Sequence, residues 1–215
     1  MTCFSGYTVN SLSAVETGAE PIPKKSSPQV LHEQNDFYLR LIVGYGLPSG
    51  SLTYTDGNVT TIKNGSAALF SLHLGYTIFN NFIAFAEFGT TGNKNSKVLI
   101  NSVDSGQELD KFNMIDIGLG VTWYLMPLNL YISPAIRFPQ LLYDIYSIQR
   151  VKTEYLSKYG IGFGLSAGIE LMVSETLATG LAINLSYDMP TPSNTGTIKN
   201  INQFYAGISA TLTYN

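Results

Sequence analysis

The sequence predicts an all-β fold, an eight-stranded antiparallel up-and-down transmembrane β-barrel. Segments of about ten residues recur in which every second position is apolar, and none of those outward positions is charged. The connections between segments alternate, short then long. Aromatic residues gather at both ends of the apolar faces, where a bilayer meets water. In Gly160–Val173, Ile161, Phe163, Leu165, Ala167, Ile169, Leu171 and Val173 form one face, while four glycines, Ser166, Glu170 and Met172 form the other. A soluble sandwich turns its apolar face inward and its charges outward. Charges that share a face with glycine and serine belong instead to the inside of a closed sheet whose outside meets lipid.

Composition agrees. Only 13% of the 215 residues are charged, against roughly 25% in soluble domains, while 14 Tyr and 11 Phe are many. A net charge of −3 without a basic face argues against a nucleic-acid partner. No run of 18 apolar residues exists, so strands must do any spanning.

Residues 1–36 are rich in Ser, Pro, Lys and Glu without periodicity, and Pro21-Ile22-Pro23-Lys24-Lys25 breaks regular structure. They read as a mobile N-terminal tail, with Ser11-Leu12-Ser13 ahead of Ala14 as a candidate processing remnant. Cys3, the only cysteine, excludes an intramolecular disulfide, and no lipoprotein signal precedes it. The barrel then occupies 37–215. Its strands are expected at Phe37–Gly46, Ala68–Ile78, Phe82–Thr90, Phe112–Leu125, Leu128–Phe138, Tyr159–Val173, Leu177–Asp188 and Gln203–Tyr214.

Asn80-Asn81, Met126-Pro127 and Ser174–Thr176 are short turns. Leu47–Ala67, Thr91–Lys111, Pro139–Lys158 and Met189–Asn202 are long and polar. With eight strands, both termini fall at the short-turn end, the periplasmic side of an outer-membrane barrel, and the long loops are extracellular. Outward Phe37, Phe82, Trp123 and Tyr214 lie at the short-turn end; Tyr45, Phe70, Phe88, Phe138, Phe163, Tyr187 and Phe204 lie at the other.

Inward positions carry Arg40, His73, Glu87, Asp116, Arg137, Glu170 and Asp188 among small residues and a few tyrosines. Eight strands leave a lumen that side chains fill, and charges there must pair. A two-residue Met126-Pro127 turn sets Leu125 against Leu128, Asp116 against Arg137 and Trp123 against Leu130. A three-residue Phe79–Asn81 loop sets His73 against Glu87, whereas a two-residue Asn80-Asn81 turn would oppose inward and outward residues. A Ser174–Thr176 turn leaves Glu170 opposite Gly180, and Arg40, at similar height, is its expected partner across the lumen. A metal at His73 would lack a second His or Cys, and a catalytic His73–Glu87 pair lacks a Ser or Cys nucleophile. Gly160-x-Gly162-x-Gly164 lies in a strand with no helix after it, so it is no nucleotide loop.

The Gly-Tyr strand end in Leu74-Gly75-Tyr76, the Asn turn and the inward Glu of Ala86-Glu87-Phe88 are motifs of a known group. Over about residues 37–215 the chain resembles the small eight-stranded bacterial outer-membrane barrels that include OmpA's membrane domain, OmpX and OmpW. The resemblance implies a Gram-negative outer membrane and an inward Arg–Glu network that blocks or gates the lumen, here Arg40, Glu87, Asp116, Arg137 and Glu170. It also implies recognition by the assembly machinery, although Tyr214 is penultimate and Asn215 follows. No domain like OmpA's peptidoglycan-binding one is expected after the barrel.

The expected function is structural or surface contact through the extracellular loops, above a plugged polar lumen. Tyr143, Tyr146, Tyr155 and Tyr159 are the loop candidates for an extracellular protein or glycan. The alternatives are a narrow gated channel and, as OmpW-like barrels imply, a passive route for small hydrophobic molecules. A membrane enzyme ranks lowest, since His73 lies mid-wall. A lipocalin-like carrier is set aside because it needs an apolar lumen. The expected chain is a monomer with no cofactor and no metal, in contact with outer-membrane lipid and lipopolysaccharide.

Overall fold

The computed structural model describes residues 37–63, 65–94, 96–109, 112–146, 152–193 and 198–214. The expected tail, 1–36, lies outside the described residues. The described chain is all strand and turn. Twelve strands follow in order: β1 Phe37–Tyr54, β2 Val59–Lys63, β3 Ser66–Phe79, β4 Phe82–Lys94, β5 Ser96–Ile100, β6 Val103–Leu109, β7 Phe112–Leu125, β8 Leu130–Tyr146, β9 Lys152–Leu156, β10 Lys158–Met172, β11 Leu177–Thr191 and β12 Ile198–Tyr214.

Eight of them, β1, β3, β4, β7, β8, β10, β11 and β12, are antiparallel staves in sequence order, and β12 pairs back onto β1 from Leu39↔Tyr214 upward. The barrel is closed, so no stave has a free edge. Alternation sets the faces: along β1, Tyr38, Arg40 and Ile42 are buried, whereas Phe37, Val43 and Tyr45 are exposed. The same inversion runs round the wall, with Leu119, Ile136, Leu165, Leu181 and Ile208 exposed and Arg137, Ser166, Thr211 and Thr213 buried. An exterior of this kind has no solvent but hydrocarbon, and the closed ladder pairs the backbones of neighbouring staves with one another.

Both aromatic girdles form. Phe82 and Trp123 stack at the short-turn end, with centroids 5.8 Å apart. Phe163, Tyr187 and Phe204 stand side by side on three adjacent staves at the other. The staves do not stop there. β1 continues from Tyr45 to Tyr54 and β8 from Phe138 to Tyr146, so four expected long loops are largely sheet. β2 hairpins onto β1, β5 pairs β2, β6 pairs β5, and β9 pairs β8. Inward Leu52, Ile62, Phe112, Met114, Leu141 and Ile201 pack together at this end and hold the extension up. Hydrophobic contact across the mouth therefore corrects the reading of these segments as polar loops.

Two turns differ from expectation. Leu125 pairs with Leu130, not Leu128, because the turn takes in residues 126–129 with Asn129 at φ 50°. Gly118 then faces Arg137, and Asp116 faces Pro139. The Asn80-Asn81 turn is two-residue after all, with Asn81 at φ 69°, and a register shift between Thr77 and Phe79 absorbs the misfit. That bulge preserves the expected His73↔Glu87 and inward-to-inward pairing. Glu170↔Gly180 is also as expected.

Candidate functional site

The inward charges stand in two separate clusters. The lower one joins Arg40 of β1 to Glu170 of β10, across the lumen, with Nη2 to Oε1 at 2.9 Å and both side chains wholly buried. Arg40 Nε donates to Thr213 Oγ1 at 3.1 Å and Nη2 to the Tyr124 hydroxyl. Tyr124 donates onward to Glu170 Oε2 at 2.7 Å, and Thr213 to Oε1. Each hydroxyl thus accepts from the cation and donates to the anion. The Tyr131 ring covers the guanidinium, 3.9 Å from its centroid. Gly180, facing Glu170, leaves the space that the carboxylate side chain fills: a Cβ there would lie 2.9 Å from Glu170 Cγ.

The upper cluster gathers three carboxylates round Arg137 of β8. Nη2 lies 2.9 Å from Glu87 Oε1 and 2.9 Å from Asp116 Oδ2, and Nη1 lies 3.7 Å from Asp188 Oδ2. Glycines make the room. Gly164 faces the Arg137 stem, which would lie 3.0 Å from a Cβ there, and Gly89 and Gly162 face the Asp116 and Asp188 carboxylates. Ser71 donates to Glu87 at 3.1 Å and Ser186 to Asp188 at 2.9 Å. Arg137 Nε and Asp188 Oδ1 have no hydrogen-bond partner among the described residues. His73 Nε2 stands 3.8 Å from Glu87, beyond hydrogen-bond range, and its ring stacks on Phe85 at 4.2 Å.

All seven expected lumen residues are therefore inward and buried, but they form two clusters rather than one network. The expected Asp116–Arg137 contact is made diagonally, because the two-residue change of register leaves both on the inner face. The lumen is also less polar than expected. Tyr38, Ile83, Phe85, Tyr124, Tyr131, Ala178 and Ala182 form an apolar layer near the short-turn end, Ile42, Ala67, Leu69 and Tyr205 a second, and the group around Phe112 a third at the long-loop end. Apolar layers and ion clusters thus alternate in the lumen, which is still not the apolar interior a carrier barrel needs. A cavity of about 40 Å³ remains beside Arg137, lined by Ser71, His73, Glu87, Ser133, Ser166 and Tyr205 among others. That is room for one or a few waters. Among the described residues no three His, Cys, Asp or Glu group to hold a metal.

At the long-loop end, Tyr159 is exposed. The side chains of Tyr143, Tyr146 and Tyr155 lie outside the described residues, although the backbone of Tyr143 pairs with Tyr155. Sequence reasoning missed the clamp between the first two hairpin tips. Asn101 donates its side-chain amide to Asn58 Oδ1 at 2.8 Å, Val59 N donates to Asn101 Oδ1 at 3.0 Å, and Asn101 N donates to Val59 O at 2.8 Å. Asn101 and Ser102, both at positive φ, make the tight β5–β6 turn. Asp56 receives Asn58 N at 2.9 Å and shapes the other tip.

No protein-family model matches the sequence, and no curated protein matches it. Solved structures of similar fold include two outer membrane proteins. The outer membrane protein OprG from Pseudomonas aeruginosa shares 12% identity over 86% of this chain and 99% of its own, with a TM-score of 0.52. The outer membrane protein AlkL, solved in lipid bilayers, shares 12% identity over 92% of this chain and 97% of its own, with a TM-score of 0.50. At such identity the likeness is one of fold. The chain has the fold of the small outer-membrane β-barrels.

Proposed function

We propose that this protein is a Gram-negative outer-membrane barrel that acts by surface contact at its long-loop end, with its lumen closed. The stacking of three apolar layers and two ion clusters within one eight-stranded wall carries this reading. A hydrated ion would have to cross each layer, and dry apolar constrictions stop ions without any mechanical block. Both ends of the described barrel chain, Phe37 and Tyr214, stand beside the short turns, which on this reading face the periplasm. The clamped hairpins then face outward. They present exposed Ile100 and Val103, and the start of β10 presents Tyr159, side chains suited to a protein or glycan ligand. Lipopolysaccharide and the assembly machinery are the partners any such barrel meets.

One observation favours a second reading, a narrow gated channel: Arg137 is shared by three carboxylates and can change partner without losing all of them. Conductance of the folded protein in a planar bilayer separates the two. Silence in the wild type and in Arg137→Ala supports surface contact above a closed lumen. Discrete openings altered by the mutation would replace that reading with the channel.

A further inference from the structure

His73 stands where the two ion clusters meet. One inward row of directly paired residues winds round the wall: Arg40, His73, Glu87, Gly118, Arg137, Gly162 and Asp188. In that row His73 has the cation of the lower cluster on one side and Glu87 of the upper cluster on the other. A single atom, Glu87 Oε1, is approached by Arg137 Nη2 at 2.9 Å, by Ser71 Oγ at 3.1 Å and by His73 Nε2 at 3.8 Å. The imidazole, stacked on Phe85, thus stands just outside bonding range of an atom that Arg137 holds. The upper cluster is also short of positive charge, with one guanidinium among Glu87, Asp116 and Asp188. Among the described residues beside it, His73 is the one that can supply a second cation by taking up a proton.

We propose that His73 is a proton-operated switch that decides which cation holds Glu87. With the imidazole neutral, Glu87 belongs to Arg137, as in the structure. Whichever nitrogen carries the first proton, a second makes both ring nitrogens donors and the ring a cation. A movement of about 1 Å then brings Nε2 into bonding range of Oε1. Glu87 turns to His73, while Arg137 keeps Asp116 and Asp188 and stays paired. The charged groups facing the ring are Arg40 from β1, Glu87 from β4 and Arg137 from β8. Asp116 of β7 and Asp188 of β11 lie beyond Arg137, and Glu170 of β10 lies beyond Arg40. Arg40 opposes a charge on the ring, but Glu170 already neutralises Arg40 at 2.9 Å. The cavity of about 40 Å³ gives the exchange both room and a route. His73, Arg137 and Tyr205 line it, and His73 Nδ1, Arg137 Nε and the Tyr205 hydroxyl have no hydrogen-bond partner among the described residues. A water in that space can carry the proton to the ring.

The test is nitrogen NMR of the full chain, isotope-labelled at histidine and arginine and folded in lipid nanodiscs. Spectra run from about pH 7.5 down to about pH 4.5, a range that brackets the ordinary histidine value. His32→Gln removes the signal of the other histidine. The His73 ring is expected to gain its charge in one step, and the side-chain signals of Arg137 to move with the same midpoint. Glu87→Gln should weaken proton binding at His73 about tenfold and abolish the coupled Arg137 step. His73→Gln should abolish that step as well. A ring that takes up no proton in this range overturns the proposal. So does a ring that titrates while Arg137 stays still, or an Arg137 step that survives His73→Gln. If His73→Gln does not fold, the wild type against Glu87→Gln decides. These signals are read whether or not the lumen conducts, so the outcome stands apart from the choice between surface contact and channel.

Discussion

The two ion clusters share a lumen and are built on opposite plans. At Arg40 and Glu170 there is one cation, one anion and a hydroxyl on each side that bonds both, under a tyrosine ring. At Arg137 there is one cation for three carboxylates, and Nη2 alone meets two of them. The lower pair has one arrangement that satisfies it. The upper cluster has several, because any one carboxylate can be lost while Arg137 keeps another. Buried charge thus fixes the structure in one place and leaves latitude in the other.

The largest effect should come from breaking the fixed pair. Arg40→Ala leaves Glu170 buried without a cation and should cost roughly 3–5 kcal/mol, read as loss of heat-modifiable migration and of the urea midpoint in lipid. A cost as small as that of a surface change would end the comparison. Next stands Leu165→Arg on the lipid face. It should cost roughly 2–4 kcal/mol, and unchanged folding in vesicles would mean that this face does not meet hydrocarbon. Arg137→Ala should destabilise as well, and adding Asp116→Asn should restore part of the loss; no restoration would show that Asp116 is not held by this guanidinium. Asp116→Asn alone should be the mildest, since it removes a buried charge instead of stranding one and Glu87 and Asp188 still engage Arg137. A loss equal to that of Arg40→Ala would show the upper cluster to be as exacting as the lower.

Much of this was legible in the sequence because side-chain alternation assigns each residue to a face. Arg40 and Glu170 were paired across the lumen from turn counting, and the structure joins them. The register of β7 against β8 was not legible. A shift of two residues moves no side chain to the other face, so Leu125↔Leu128 and Leu125↔Leu130 fit the same apolar pattern. Only the turn distinguishes them, and its signal was Asn129, a residue type that tolerates the positive φ found there. The strand extensions were hidden for another reason. Ser49-Gly50-Ser51 and Thr53 look like loop, while the apolar residues that hold the extension, Leu52, Ile62, Phe112 and Leu141, are far apart in sequence and together only in space. The lower apolar layer was missed because its tyrosines read as polar, although Tyr38, Tyr124 and Tyr131 present their rings.

The clamp between Asn58 and Asn101 bears on entropy. Ordering a loop residue on binding costs about 1–2 kcal/mol of backbone freedom. Where β1, β2, β5 and β6 rise past the upper girdle, that freedom has already been given up in folding, through sheet pairing and the bonds between the two tips. On the proposed surface-contact reading, a ligand arriving there would dock on an already ordered edge and keep most of its contact energy as affinity. The same rigidity narrows its choice of partners, because a surface that cannot rearrange must match by shape from the outset.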